Sequence, residues 1–142
     1  MIVRLQAADF DPEHEAQALT VQGAGARVSF VGTVRDVSAG HPITALEIEH
    51  YPEMTTAELE RIATAAQAQY QLLEVLIIHR FGRILCDERI VLVTVWSAHR
   101  AAAFAGCQAI MDALKTCAPF WKKELTTEGD HWVPGRSPPD LD

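Results

Sequence analysis

The spacing of apolar and polar residues divides the first third of the chain into short strands and one helix. Three segments are predicted to be strands, of which the second and third alternate between buried and solvent-facing positions: residues 2–7, 26–35 and 43–50. Asp11 before Pro12 offers an N-cap followed by proline at the first helical position, which predicts a helix from there to about Gln22. Residues 36–42 contain glycine and proline and are predicted to form a loop.

The middle of the chain changes to a helical period. Apolar residues recur at helical spacing over about 56–70, and Thr55 with Glu58 three positions later forms a capping-box signature at the start of this predicted helix. Two apolar, β-branched segments follow, residues 74–81 and 89–97, and both are typical of central strands that are buried on two faces.

A long last helix is predicted over about 98–117, with Ser97 as its cap and Pro119 just beyond its end. Its apolar stripe consists of Phe104, Cys107, Ile110, Met111 and Leu114. The resulting order, β-α-β-β-α-β-β-α, predicts an α+β fold: a single domain over residues 1–142 with a mixed or antiparallel sheet and helices packed mainly on one side. Residues from about 134 to 142 are expected to be loose or ordered only by a partner.

Composition narrows the class of protein. The chain has 142 residues, of which 49% are hydrophobic and 22% charged, and this fits one globular core and excludes intrinsic disorder. The longest uncharged apolar runs are strand-sized, far below the ~20 residues of a membrane helix, and the N-terminal segment has no secretory h-region. We therefore expect a cytoplasmic protein with no membrane partner. A net charge of −7 also disfavours nucleic acid as a partner.

Cysteine and histidine spacing predicts neither a disulfide framework nor a metal site. The three cysteines include no CxxC pair, so reduced, packed thiols are the simpler interpretation. The six histidines show no HxxxH or HExxH spacing.

The distribution of basic residues points to candidate chemistry. All three lysines, Lys115, Lys122 and Lys123, lie within nine consecutive positions, and the other nine basic residues are arginines. Lys115 falls in the last turn of the predicted helix, and the other two follow a rigid apolar corner around Pro119. Such a corner can desolvate an amine and make it usable as a nucleophile or general base. A solvated basic corner is the alternative interpretation.

Three other segments could bind or orient an anionic ligand. Arg35 ends a strand close to Gly32, although a surface arginine beside a turn would give the same pattern. His99 and Arg100 stand at the start of the last helix, where free N–H groups and the dipole attract anions, unless a neighbouring carboxylate offsets them. Near the C-terminus, Trp132 could orient Arg136.

Beyond these local signals, the sequence resembles one family over nearly the whole chain after residue 20. It is similar to the large, catalytic subunit of molybdopterin synthase. The matching segments are GARVSFVGTVRD (25–36), LEIEHYPEM (46–54), IIHRFG (77–82), SAHRAAAF (97–104), MDALKTCAPFWKKE (111–124) and EGDHWV (128–133). The SAHR and LKT-x-APFWK-[KR]-E motifs are the most specific of them.

The resemblance implies a sulfur transferase that inserts two sulfur atoms into cyclic pyranopterin monophosphate and so forms the dithiolene of molybdopterin. It implies that the sulfur donor is a thiocarboxylate on the C-terminal Gly-Gly of a small ubiquitin-like subunit. It also implies a heterotetramer, with a homodimer of the large subunit at its centre. No metal or redox cofactor is implied, because the sulfur arrives activated.

The resemblance also assigns residue roles. Lys115 and Lys122 match the essential, catalytic lysines, which also contact substrate. The other substrate-binding matches are Thr33, Val34, Arg35, His99, Arg100, Lys123, Glu124 and Arg136. Thr33 stands where some members have lysine. Cys107 and Cys117 match no sulfur carrier of the family.

Two further interpretations account for part of the sequence. A non-catalytic subunit could bind an acidic or extended protein tail through residues 115–123, but such a relative is expected to lose a lysine or the SAHR motif, and both are present. A phosphate-binding domain would use Arg35, His99 and Arg100 but leaves the lysines without a role. Since Arg100 and Lys115 lie fifteen residues apart on one predicted helix, we predict that two copies of the chain share each site.

Overall fold

The computed structural model describes residues 1–133, which form nine strands and three helices. In chain order these are β1 (Ile2–Gln6), α1 (Pro12–Gln17), β2 (Ala26–Thr33), β3 (Val37–Ser38), β4 (His41–His50), α2 (Pro52–Gln69), β5 (Glu74–Arg80), β6 (Gly82–Leu85), β7 (Arg89–Ser97), α3 (Arg100–Thr116), β8 (Phe120–Thr126) and β9 (Gly129–Trp132). No helix in this part of the chain combines the length and the apolar character that a membrane span requires.

The first sheet has the strand order β1-β5-β7-β2. The β1–β5 pair is parallel and the other two pairs are antiparallel, so the sheet is mixed. Each face of this sheet is covered by its own hydrophobic core, and successive side chains of the central strands point into the two cores in turn. In β5, Val75 and Ile77 pack in the core beneath α2 and α3, whereas Leu76 and Ile78 pack with Phe10 on the face that carries α1. The continuous apolar pattern of β5 and β7 follows from this double burial.

The second sheet is built around β4. Strand β8 pairs antiparallel with one side of β4 and β6 with the other, β9 continues the sheet beyond β8, and β3 forms a hairpin with the start of β4. The chain passes from the first sheet to the second between Arg80 and Gly82. Gly82 has φ +84°, a left-handed conformation that favours glycine. The predicted α+β class, with a mixed sheet and helices packed mainly on one side, is confirmed, whereas the division of the strands between two sheets was not predicted.

The predicted capping box at the start of α2 is wrong. The helix begins at Pro52, after Tyr51, and no side chain caps it. Thr55 is fully buried instead, and its hydroxyl donates a hydrogen bond to the Pro119 carbonyl at 3.0 Å. The hydroxyl therefore fastens α2 to the corner between α3 and β8, a tertiary contact that local spacing does not encode.

The other helix boundaries also differ from the prediction. Ser97 is the last residue of β7 and does not cap α3, whose N-cap is His99. Phe104 is 63% exposed although it belongs to the predicted apolar stripe, of which Cys107 and Ile110 are buried. Helix α1 ends at Gln17, five residues before the predicted end at Gln22. The chain turns there and packs Leu19 and Val21 against the apolar cluster around Phe10, on the face of the first sheet that carries α1.

Four strands are missing from the predicted order. Strand β3 and the start of β4 lie in the predicted loop 36–42, and β6 lies between the predicted strands 74–81 and 89–97, where no element was predicted. Strands β8 and β9 form a hairpin in the segment that was predicted to carry no element. Strands β3, β6 and β9 have only two to four residues, and β8 contains three consecutive charged residues. All four are stabilised by pairing with β4 or with each other.

Candidate active site

A cavity of about 990 Å³ opens where the end of α3, the end of β2 and the inner face of β4 and β8 meet. Apolar side chains such as Met111, Leu114 and Phe120 form much of its lining. The charged and imidazole side chains that reach it are those of Arg35, His79, Lys115, Lys122 and Glu124. An apolar cavity with a few convergent polar groups is the usual form of a small-molecule site.

Alternation along β8 decides which residues face the cavity. Phe120, Lys122 and Glu124 line it, as their spacing of two requires. Lys123 lies on the opposite face, where its Nζ is 3.3 Å from Glu47 and 5.5 Å from the centre of the Trp132 ring. The two adjacent lysines therefore have different environments, and only Lys122 reaches the cavity.

Lys115 and Lys122 approach the cavity from different elements. Lys115 is exposed in the last turn of α3, and Lys122 is half-buried on β8. Burial lowers the pKa of the Lys122 amine, and the charge of Lys115 lowers it further. Within residues 1–133 neither lysine forms an ion pair. The predicted desolvated amine at the apolar corner therefore corresponds to Lys122, which can supply a neutral amine more readily than an ordinary lysine.

His79 contributes a neutral imidazole to the cavity wall. Its ring stacks on Phe120 with centroids 3.8 Å apart, and its Nδ1 donates a hydrogen bond to the Arg80 carbonyl at 2.8 Å. Burial, helped by the charge of Lys122, lowers the pKa of His79 to about 3. Since Nδ1 carries the proton, Nε2 keeps its lone pair as an acceptor.

Glu124 is paired with a residue of the neighbouring strand. Its Oε1 lies 2.9 Å from Nε2 of His131, which is directly opposite in the β8–β9 pair. The sequence prediction missed both His79 and His131. The available signal for His79 was an imidazole directly after the apolar run of residues 75–78 in β5. Finding His131 required the β8–β9 hairpin to be known.

The end of β2 forms another wall of the cavity. The strand register shifts between Gly32 and Thr33, and the next residue, Val34, is buried and exchanges backbone hydrogen bonds with the segment 87–88 at 2.9 Å. This bonding fixes the chain on both sides of Val34. Thr33, Val34 and Arg35 all line the cavity, and Arg35 is exposed with no ion pair within the described part of the chain.

His99 and Arg100 lie at the other end of α3 and do not line this cavity. Both are exposed, and the first turn of the helix contains no acidic residue that could pair with them. Gly25 holds the corner before them: its N–H donates to the Ser97 carbonyl at 2.9 Å, and a Cβ there would collide with the Ala98 carbonyl oxygen. The two residues are therefore fixed at a surface distant from Lys115.

The cavity thus gathers six of the predicted site residues: Thr33, Val34, Arg35, Lys115, Lys122 and Glu124. His99, Arg100 and Lys123 lie elsewhere, and Arg136 lies outside the described residues. Within residues 1–133 no group of three or more His, Cys, Asp or Glu side chains is arranged to hold a metal ion.

Comparison with known proteins identifies the family. The family model described as MoaE protein matches residues 5–117. The molybdopterin synthase catalytic subunit of Vibrio cholerae is 52% identical over 136 residues, which cover 94% of this chain and 90% of the relative. The protein of the same name from Pseudomonas aeruginosa is 51% identical over 138 residues, with 96% and 92% covered.

Solved structures agree with the sequence comparison. The molybdopterin biosynthesis MoaE protein from Burkholderia ambifaria has a TM-score of 0.81 at 46% identity, and the match covers 99% of this chain and 93% of that one. Molybdopterin synthase from Staphylococcus aureus has a TM-score of 0.86 at 26% identity, with 92% and 96% covered. The chain therefore belongs to the MoaE protein family, the family of the molybdopterin synthase catalytic subunits.

Proposed function

We propose that this chain is the catalytic subunit of a molybdopterin synthase, which transfers two sulfur atoms to cyclic pyranopterin monophosphate. The observation that carries the proposal is the pairing of Lys115 with the desolvated Lys122 in a single cavity that Arg35 also reaches. A guanidinium suits the phosphate of the pterin, with which it can form charge-assisted, bidentate hydrogen bonds.

The two amines suit the proton transfers that the reaction requires. Each transfer forms a carbon–sulfur bond to the pterin in place of a carbon–oxygen bond at the same carbon, whose oxygen departs with phosphate or as water. A water molecule then cleaves the bond between sulfur and the glycyl carbonyl, which restores the carboxylate of the donor and leaves the sulfur on the pterin. A neutral amine can accept a proton or trap the acyl group, and an ammonium can return the proton. Lys122 suits the first role because of its lowered pKa, and the exposed Lys115 suits the second.

The donor is the C-terminal Gly-Gly thiocarboxylate of a small ubiquitin-like subunit. An extended tail of this kind binds through main-chain contacts and narrow pockets. Phe120, stacked on His79, gives the cavity a rigid apolar wall against which such a tail can lie, whereas Trp121 points to the opposite face of β8 and packs on Tyr51. No resident metal or redox cofactor is required, and the protein works in the cytoplasm.

A homodimer completes the site, and the heterotetramer places one small subunit at each end of it. Strand β2 is the edge of the first sheet and exposes Phe30 and Val31, and helix α3, which packs against β2, exposes Phe104. An apolar surface next to an unpaired strand edge suits a second copy of the chain. Such a copy would bring its own His99 and Arg100 to the cavity, where the imidazole and the guanidinium would donate hydrogen bonds to the substrate phosphate.

The test is reconstitution. The purified chain is incubated with a thiocarboxylated small subunit and cyclic pyranopterin monophosphate, and the dithiolene product is measured. Two controls define the requirement for the donor: the same subunit with an ordinary carboxylate, and the subunit without its last two glycines. Product in the complete mixture alone supports the function; its absence there, or equal product with the truncated subunit, refutes it.

A further inference from the structure

Glu124 is the only acidic residue among the described residues that line the cavity, and it contacts His131 rather than the nearby lysines. The carboxylate is 13% exposed and the imidazole 52%. Because β9 is the last strand of its sheet, the contact draws the carboxylate toward the outer edge of the cavity.

Strand geometry gives Glu124 an alternative partner. Lys122 precedes it by two positions on the same face of β8, so the two Cα atoms are about 7 Å apart. A lysine side chain spans this separation, and an ion pair between the two is sterically available. Lys122 nevertheless has no carboxylate partner within residues 1–133.

An ion pair at this position would oppose the chemistry. A carboxylate within about 4–6 Å favours the charged form of a lysine, whereas a base or nucleophile must be neutral. Other groups on this side of β8 are cationic or imidazole: Arg35 at the end of β2, His50 on β4, His79 on β5 and Lys115 on α3. Glu124 is thus the one carboxylate among the described residues lining the cavity that could hold Lys122 in its ammonium form.

We propose that His131 is a positioning residue for Lys122: by bonding Glu124 across the β8–β9 hairpin, it keeps the carboxylate of the cavity wall away from the Lys122 amine. The role rests on the proposed function, because an unpaired amine matters only where Lys122 reacts. His131 itself does not line the cavity.

The lysine content of the chain makes a direct test practical. Lysine labelled with ¹³C at Cε gives only three side-chain signals, from Lys115, Lys122 and Lys123, and single substitutions assign them. The pKa of each amine is read from the pH dependence of its signal in the full-length chain. Turnover is not needed, so the result does not depend on whether the protein transfers sulfur.

In the His131→Ala chain, the titration midpoint of Lys122 should rise by about one pH unit, because Glu124 becomes free to pair with it. The rise should disappear in the His131→Ala/Glu124→Gln double variant. His131→Gln, which keeps an N–H donor, should titrate like the unchanged chain. An imidazole is mostly neutral where a lysine titrates, so loss of a histidine charge does not explain the rise.

The chain contains a matched control. His41 forms a second histidine–glutamate pair, with its Nδ1 3.0 Å from Glu128 at the tip of the same hairpin, and neither residue lines the cavity. His41→Ala should leave all three lysine midpoints unchanged. An unchanged Lys122 midpoint in His131→Ala, a rise confined to Lys115, or a rise that persists without Glu124 would overturn the proposal.

Discussion

Sharing of each site between two copies of the chain can be tested by mixing two inactive variants. Arg100 and Lys115 lie fifteen residues apart on α3, which is continuous from Arg100 to Thr116, so their Cα atoms are about 22 Å apart at 1.5 Å per residue. Extended lysine and arginine side chains each reach about 6–7 Å, which leaves a gap of roughly 8–10 Å. Arg100 is also absent from the lining of the cavity that contains Lys115.

The perturbation is a mixture of Arg100→Ala and Lys115→Ala chains, allowed to exchange subunits. With random pairing, half of the dimers contain one chain of each kind. Each such dimer has one site with both changes and one intact site, because the intact Lys115 belongs to one chain and the intact Arg100 to the other. Half of the dimers with half of their sites active give about a quarter of the unchanged activity.

The assay is dithiolene formation with the thiocarboxylated small subunit in excess, and exchange is verified by co-purification of differently tagged chains. A mixture of His99→Ala and Arg100→Ala is the matched control. Both changes lie at the helix start, so every site of a mixed dimer remains damaged and activity should not return. Inactivity of the first mixture despite verified exchange, or recovery in the control, would refute the shared site.

Three further outcomes follow from individual contacts. Lys115→Arg should lower kcat about 10²–10⁴-fold with an unchanged circular dichroism spectrum, because a guanidinium stays protonated; substantial activity would remove the amine from the mechanism. Thr55→Val should lower the free energy of unfolding, measured in urea, by about 1–3 kcal/mol, because the buried Pro119 carbonyl loses its hydrogen-bond donor. The control Thr56→Val should change the free energy of unfolding by no more than about 0.5 kcal/mol, and equal losses in the two variants would contradict the prediction. His79 has a folded-state pKa of about 3, below its ordinary value of 6.5, so on acidification the unfolded chain binds the proton first. The free energy of unfolding should therefore fall by about 1.4 kcal/mol per pH unit below 6.5. His79→Phe should flatten this part of the profile in urea unfolding between pH 7 and 5, and identical slopes would count against it.

The sequence predicted those elements whose own side chains determine their burial. Strands β5 and β7 carry continuous apolar runs because both of their faces are covered, and α2 and α3 carry a helical period because one face of each packs on the first sheet. The same patterns place Lys115 at a helix end and Lys122 beyond an apolar corner. Their meeting in one cavity depends on how β8 pairs with β4, which no local pattern specifies.

The elements and contacts that the sequence did not predict share a physical cause: each depends on a partner that is distant in sequence. Strand β8 contains two adjacent lysines, and it is a strand because β4 supplies its hydrogen bonds from seventy or more residues away. Thr55 resembles a helix cap until the buried carbonyl of Pro119 is placed against it. Phe104 has the period of a core residue, but period alone does not say whether another surface of the same chain covers it.

The opposite orientations of Lys122 and Lys123 restrict where the chain can gain or lose residues. Because side chains on a strand alternate, deleting one residue between Pro119 and Lys122 would exchange the two faces of β8 and bring Lys123 to the cavity. The turn at residues 127–128 lies outside the paired positions of β8 and β9, so an insertion there leaves the register of β8 against β4 intact. Differences in length among related chains are therefore expected at this turn and not in the seven residues from Pro119 to Leu125.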